Sequence, residues 1–206
     1  MENAANFNFD TLSALPWVSA ALLAVGLAAS SGLRTFLPLL LLAGAGKFGL
    51  FGIHLGGNFA WLSSNTAVTA LLLATIFEVA ADKIPFVDHG LDAVGTVLRP
   101  IAGALVAAAV LNGNDPATSA LLGIIVGAPL AFGMHAAKAG TRAGSTASTA
   151  GVGNPILSFI EDLTALFLGL VSLLVPWLVP LLLIFALLLM WQVYRIARRR
   201  IRRASV

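Results

Sequence analysis

The stretch VPLLLIFALLLMWQVYRIARRRIRRASV, residues 179–206, decides the class of this protein. It begins as an unbroken apolar run, passes Trp191 and Tyr194, and ends in Arg195, Arg198, Arg199, Arg200, Arg202 and Arg203. Apolar run, aromatic pair, basic cluster is the pattern of a helix that crosses a bilayer. The amphipathic rings sit at the interface, and the arginines lie against anionic headgroups on the cytoplasmic side. The tail is therefore read as a lipid anchor and not as a nucleic-acid site. Working back from it, the rest of the 206-residue chain has the same character: 59% is hydrophobic and only 10% charged. A soluble domain carries about a quarter charged residues.

A crossing helix needs about 20 mostly apolar residues. Six stretches qualify, roughly 16–45, 66–85, 93–112, 117–138, 155–175 and 177–196. They predict an all-α fold, a polytopic membrane helix bundle of about six transmembrane helices. All of residues 1–206 form one integral membrane domain, with a short polar N-terminus at 1–15 and a basic tail at 195–206. The N-terminus has neither the basic segment nor the short apolar core of a signal peptide. Ser30-Ser31-Gly32 and Pro38 in the first stretch, and Pro129 in the fourth, predict broken or kinked helices. Gly123 and Gly127 have the GxxxG spacing of close helix packing. A weak internal repeat pairs Ala80-Ala81 and the later Arg99-Pro100-Ile101 with Ala136-Ala137 and Asn154-Pro155-Ile156.

Orientation follows from the basic residues. With the tail in the cytoplasm, six crossings place both termini there. The loops holding Lys83, Lys138 and Arg142 then fall inside, and Lys47 alone falls outside. Five crossings leave the N-terminus outside, which its lack of Lys and Arg permits as well.

Against this apolar background stand Arg34, Glu78, Asp82, Arg99, His135, Lys138, Arg142, Glu161 and Asp162, all inside or at the edge of a predicted span. Charge at such depth is expensive and marks functional sites. The carboxylates Glu78, Asp82, Glu161 and Asp162 suit proton carriage or cation binding; Glu78 and Asp82, four apart, share a helix face. Paired with Arg34, Arg99 or Lys138, they instead tie helices together. The basic set Arg34, Arg99, His135, Lys138 and Arg142 suits an anion, helped by the free N–H groups of a helix that restarts near Arg34 or Asn154. For Lys138 and Arg142 the plainer reading is snorkelling to the interface. Asp88, His89 and Asp92 are the nearest approach to a metal set, and adjacent Asp-His pairs are ordinary in polar loops; no metal and no cofactor is expected. The absence of cysteine removes thiolate chemistry, and no GxSxG, HExxH or P-loop pattern occurs. An enzyme is not expected.

Three segments together, AASSGLRTFLPLL (28–40), EVAADKIPFVDHGLDAVGTVLRPIAGAL (78–105) and HAAKAGTRAGSTASTAGVGNPILSFIED (135–162), are familiar as a set. The chain resembles a family of small bacterial polytopic membrane proteins known only as a domain of unknown function. The resemblance implies a bacterial inner-membrane protein and supplies no substrate, cofactor or catalytic residue.

The expected function is transport or permeation of a small solute, anionic and proton-coupled in its sharpest form. Arg34 and Arg99 would set charge selectivity, while Glu78 and Glu161 would carry protons. The alternatives are a module that binds or flips anionic lipid headgroups, and a structural membrane scaffold; a homo-oligomer fits all three. A transporter needs a polar path across the bilayer, to which Arg34 would contribute. A lipid binder needs a cytoplasmic-side pocket. A scaffold leaves the charges as closed salt bridges.

Overall fold

The computed structural model describes residues 16–111 and 115–204. Among these the secondary structure is all helical, with no strand. The helices are α1 (Pro16–Leu33), α2 (Leu37–Phe48), α3 (Asn65–Ala81), α4 (Pro85–Val110), α5 (Pro116–Thr149), α6 (Asn154–Leu174) and α7 (Val179–Ala204). Prolines open several of them, where a missing N–H costs nothing. Ser64 caps α3 by accepting from the Ala67 N–H at 3.1 Å. Asp115 caps α5 by accepting from the Thr118 N–H at 2.9 Å; that N–H and the Thr118 hydroxyl hold its carboxyl below the usual carboxylate range.

By length and composition α4, α5, α6 and α7 can each cross a membrane, and the turn Gly57–Ser63 joined to α3 at a 62° bend makes a fifth. These are the helices of a multi-pass membrane protein. The outer surface is correspondingly apolar: Leu73, Phe77, Val97, Ile125, Phe167 and Phe185 are all more than half exposed. The polarity of a soluble protein is inverted, with hydrocarbon outside and charge within.

The expected span 16–45 is where structure and expectation part. The chain leaves the helix after Leu33 and restarts at Leu37, so two shorter apolar helices stand in place of one span. Pro38 lies in the first turn of α2, where it cannot donate to a continuing α1 ladder. The two helices also run in opposite directions. Along α1, the place where a side chain on Gly26 would stand lies against Ser172, the Ser30 hydroxyl donates to the Ala165 carbonyl at 2.8 Å, and Arg34 meets Ser158, so α1 is antiparallel to α6. Along α2, Leu41 returns to Gly169, and Lys47 meets Asn65 at the start of α3. α1 and α2 are a helical hairpin that enters and leaves at the same end of the bundle, with Arg34, Thr35 and Phe36 at its tip. α1 lies at the centre, packed on α4, α5, α6 and α7.

By length and composition, four helices, or five with the bent pair, can cross, against the six expected. After the hairpin, α3 to α7 alternate in direction. The start of α1 and the end of α7 therefore lie at opposite ends of the bundle: Ser19 and Ala20 of α1 sit with Val110 and Leu173, whereas Val193 and Ile196 of α7 sit with Ser148 and Gly153. The two prolines of the repeat also differ in place, since Pro100 is inside α4 and Pro155 is in the first turn of α6.

Small residues let α4 and α5 approach closely. Gly127 faces the backbone of Gly103, and Gly123 faces Ala104 and Ala108, within a π-helical turn Gly123–Gly127 of α5. Two apolar clusters fill the interior. One, with Leu27, Leu39, Leu42, Val106 and Leu173, fills the hairpin's open half; the other, with Leu33, Met134, Ala165 and Leu168, lies beside its tip.

Candidate functional site

Five segments bring charge to the hairpin tip. α3 ends with Glu78 on its last turn and Asp82 just past it; Arg34 comes from the break, Asp92 and Arg99 from α4, His135, Lys138 and Arg142 from α5, and Ser158, Glu161 and Asp162 from α6. The spacing of each set, three, four or seven residues, puts it on one helix face.

Asp82 is the hub. Its Oδ2 accepts from Arg34 Nη2 at 2.5 Å, Arg142 Nη2 at 2.6 Å and the Ser158 hydroxyl at 2.7 Å, while Lys138 Nζ stands 3.7 Å from its Oδ1. Glu161 takes Arg142 in a fork, Nη2 to Oε2 at 2.6 Å and Nε to Oε1 at 3.1 Å, and has Lys138 Nζ at 3.2 Å. Asp162 pairs with Arg34 Nε at 2.5 Å and with Lys83 at 2.9 Å, near the protein surface. Asp92 reaches Arg99 at 3.4 Å and both Lys138 and Arg142 at 3.9 Å. Arg99 meets His135 Nδ1, and the Thr96 hydroxyl meets His135 Nε2 at 3.1 Å. Arg34, Arg99, Lys138 and Arg142 thus face Asp82, Asp92, Glu161 and Asp162, four charges against four, and the more exposed Lys83 adds a fifth cation at the rim on Asp162. The side chains of Arg34 and Lys138 are 0% exposed.

Glu78 stands apart from this balance. Its two carboxylate oxygens accept from the backbone N–H groups of Thr35 at 2.8 Å and Phe36 at 3.1 Å. These are the free donors ahead of α2, where a helix N-terminus attracts an anion. The opposite face of the break carries the complementary contact: Lys138 Nζ lies 3.4 Å from the Leu33 carbonyl at the end of α1. Both half-helix ends at the break are met by a charge of the right sign, brought from another helix.

The sequence expectations divide accordingly. Arg34, Glu78, Asp82, Arg99, His135, Lys138, Glu161 and Asp162 do converge. Asn154 does not; its amide donates to Thr146 at 3.0 Å, at the exposed start of α6. Arg34 pairs with Asp82 and Asp162 rather than with Glu78 or Glu161. Lys138 does not snorkel but is sealed inside. Ser158 was not foreseen; Asp92, read only as part of a weak metal set, joins the ion network instead, and the free N–H groups expected where a helix restarts near Arg34 are those of Thr35 and Phe36, taken by Glu78. Asp92 lies seven residues before Arg99 on the same face of α4, which is the one signal for it in the sequence. Asp88 and His89 carry side chains outside the described residues, and among the described ones no cluster of three metal-ligating groups forms.

The level of the network is also informative. Trp191 and Tyr194 line a groove with Ala137, Gly140 and Thr141, so the aromatic pair stands beside Lys138. Such pairs mark the interface. The charges gather toward the tail-side end, and Arg34 joins them there instead of carrying charge into the other half. At the other end, a cavity of about 540 Å³ opens between the start of α1, the loop Phe51–Leu55 and the ends of α4 and α6. His54 lines it, and Phe51 beside it holds a left-handed φ of 58°.

A family model described as a domain of unknown function (DUF4126) matches residues 21–196. The chain belongs to that family. The matched region contains the hairpin tip and every member of the ion network, and stops short of Arg198 and the arginines after it. No curated protein and no solved structure matches the chain.

Proposed function

We propose that this DUF4126 protein moves a small charged solute across the membrane, and that the conformation described is its closed state. The observation that carries the reading is the break at Arg34–Phe36. Non-helical backbone inside a membrane protein is tolerated where it is buried in protein or lines a water-filled path, and transporters use the ends of broken helices to hold ions and substrates. Here Glu78 occupies the N–H end and Lys138 the carbonyl end. The cavity at the open end of the hairpin is the outer vestibule, the apolar cluster around Leu27, Leu39 and Leu42 is the constriction, and the ion network is the inner gate. An apolar constriction closes a path by dewetting. A network of buried ion pairs is weak evidence for stability, because apolar replacements are often as stable. A use in switching accounts for it better.

Supporting inferences complete the picture. α7 continues as a helix to Ala204 past the aromatic pair; a basic segment directly after an apolar span suits anionic headgroups, which supports a tail on the cytoplasmic face of a bacterial inner membrane. The start of α1 is then on the outer face. No catalytic chemistry is proposed.

The test is flux in proteoliposomes over a panel of small anions, cations and protons, with Glu78→Gln beside the parent. The parent should move at least one of these, and Glu78→Gln, whose weaker hold on α2 leaves the tip easier to open, should alter the rate per folded molecule. A second reading, a structural scaffold, draws on the completeness of the four-against-four pairing. A parent that moves nothing across the panel would replace the transport reading with it.

A further inference from the structure

Lys138 holds an unusual position: one nitrogen at which five segments meet. Its Nζ has oxygen neighbours from four other elements: the Leu33 carbonyl at the end of α1 (3.4 Å), Glu161 on α6 (3.2 Å), Asp82 after α3 (3.7 Å) and Asp92 on α4 (3.9 Å). The side chain is fully buried and comes from α5. As they stand, these oxygens are spread too widely around Nζ to form a metal-ligating cluster, but carboxylate and carbonyl oxygens around one positive centre, with the carbonyl supplied by a broken helix, are the kinds of donor that a hard cation takes. The other cations nearby, Arg34 and Arg142, are engaged by Asp82, Asp162 and Glu161 through their own guanidinium groups, and Arg99 by Asp92 and His135. The oxygens around Nζ are thus arranged for a monovalent charge at that point.

We infer that this is a monovalent-cation seat, filled in the native chain by the tethered ammonium of Lys138. An ammonium and an alkali-metal ion carry the same charge and seek the same oxygens. Sodium, close to calcium in size, draws oxygen ligands to about 2.3–2.6 Å, and the larger potassium holds them further out, so the cage closes by up to roughly 1 Å when the lysine is removed, chiefly through the Glu161 and Asp82 carboxylates. With Lys138 in place, this seat is therefore closed to sodium and potassium. The inference deepens the transport reading, since it assigns the cation at this point of the inner gate to the chain itself, but the seat does not depend on transport.

The experiment is thermal unfolding of purified Lys138→Ala in NaCl, KCl or choline chloride at equal ionic strength, beside the parent and Lys138→Met. Removing the lysine opens the seat, so an alkali cation should raise the midpoint of Lys138→Ala saturably, by about 5–11 °C at a hundred times its dissociation constant. The parent, whose seat is full, and Lys138→Met, whose apolar chain occupies the space, should not respond. A folded Lys138→Ala with the same midpoint in all three salts refutes the seat. If Lys138→Ala yields no folded protein in any salt, Lys138→Ala with Asp92→Asn restores the charge balance and keeps the Leu33, Glu161 and Asp82 oxygens. Its response to sodium or potassium then supports the seat, and its indifference, or its failure to fold in every salt, rejects it. Because the readout is unfolding, a protein that transports nothing can still pass this test, and one that transports can fail it.

Discussion

At the tail-side end of the bundle, charge is packed tightly around the hairpin tip; at the other end, a cavity of about 540 Å³ opens on loop backbone and His54 with far less charge around it. The same hairpin joins the two. Its tip is locked by Glu78, Asp82 and Lys138, while its open end meets the segment Leu50–Gly52, where the backbone is strained at Phe51. Rigidity and access are thus assigned to opposite ends of one element. An ion path needs both, one to hold the gate and one to admit water.

The starkest way to break the comparison concerns which end is which. The chain has no cysteine of its own, so single-cysteine variants report without background. With an impermeant thiol reagent on intact cells, Trp17→Cys and Asn58→Cys should label, and Ala147→Cys and Val152→Cys should not. Trp17 and Val152 labelling from the same side would reject the odd number of passes.

Next in size is the hub. Asp82→Ala leaves Arg34 and Arg142 buried with an unbalanced charge, a loss of about 3–5 kcal/mol. The unfolding midpoint should fall by roughly 10 °C, at about 2–4 °C per kcal/mol for a chain of this size. His54→Ala at the other end should change it by about 1 °C, because an exposed side chain away from any network contributes within roughly 0.5 kcal/mol. Equal losses would mean that the two ends are not differently built.

A smaller contrast lies along α5 itself. A Cβ on Gly127 would strike the Gly103 backbone, so Gly127→Ala should destabilise by about 1–3 kcal/mol. Gly133 and Gly140 face open space, and Gly133→Ala should stabilise by up to about 1 kcal/mol through helix propensity alone. Opposite signs in a thermal scan support close packing of α4 on α5. The smallest effect belongs to the rim of the network. Lys83 pairs with Asp162 but its side chain is 42% exposed, so Lys83→Ala should shift stability by under about 1 kcal/mol, and less in high salt.

Much of this was legible in the residues. Runs of apolar residues bounded by proline and glycine mark the apolar parts of α4 to α7, but α4 already starts at Pro85 and α5 runs on to Thr149 through the expected loop, so Lys138 and Arg142 are helical; Ser30-Ser31-Gly32 with Pro38 marks the place where the first stretch breaks. What hydropathy lacks is direction. Leu37–Phe48 is equally apolar whether α2 continues α1 or doubles back beside it, so a kink and a reversal read alike. The reversal is decided by contacts distant in sequence, Leu41 on Gly169 and Glu78 on the Thr35 and Phe36 amides. The candidate site was half legible for the same reason. That Glu78 and Asp82 share a face follows from helix periodicity; that one caps a helix and the other gathers two arginines depends on which way the hairpin turns. Ser158 gave no sign, because a serine in an apolar helix ordinarily bonds its own backbone.

The locked hairpin tip has a consequence for biosynthesis. Arg34 leaves the ribosome long before its partners: Asp82 follows 48 residues later and Ser158 follows 124 residues later. At about 5–20 residues per second, the interval to Ser158 is on the order of 6–25 s. Until Glu78 and Asp82 emerge, Arg34 and the free N–H groups ahead of α2 have no partner on the chain, and Ser158 completes the set only at the end of the interval. The hairpin therefore cannot settle into lipid in the order in which it is made. The hydrogen bonds and ion pairs at the tip close only once α6 has been made, so the first helices translated are completed by one of the last.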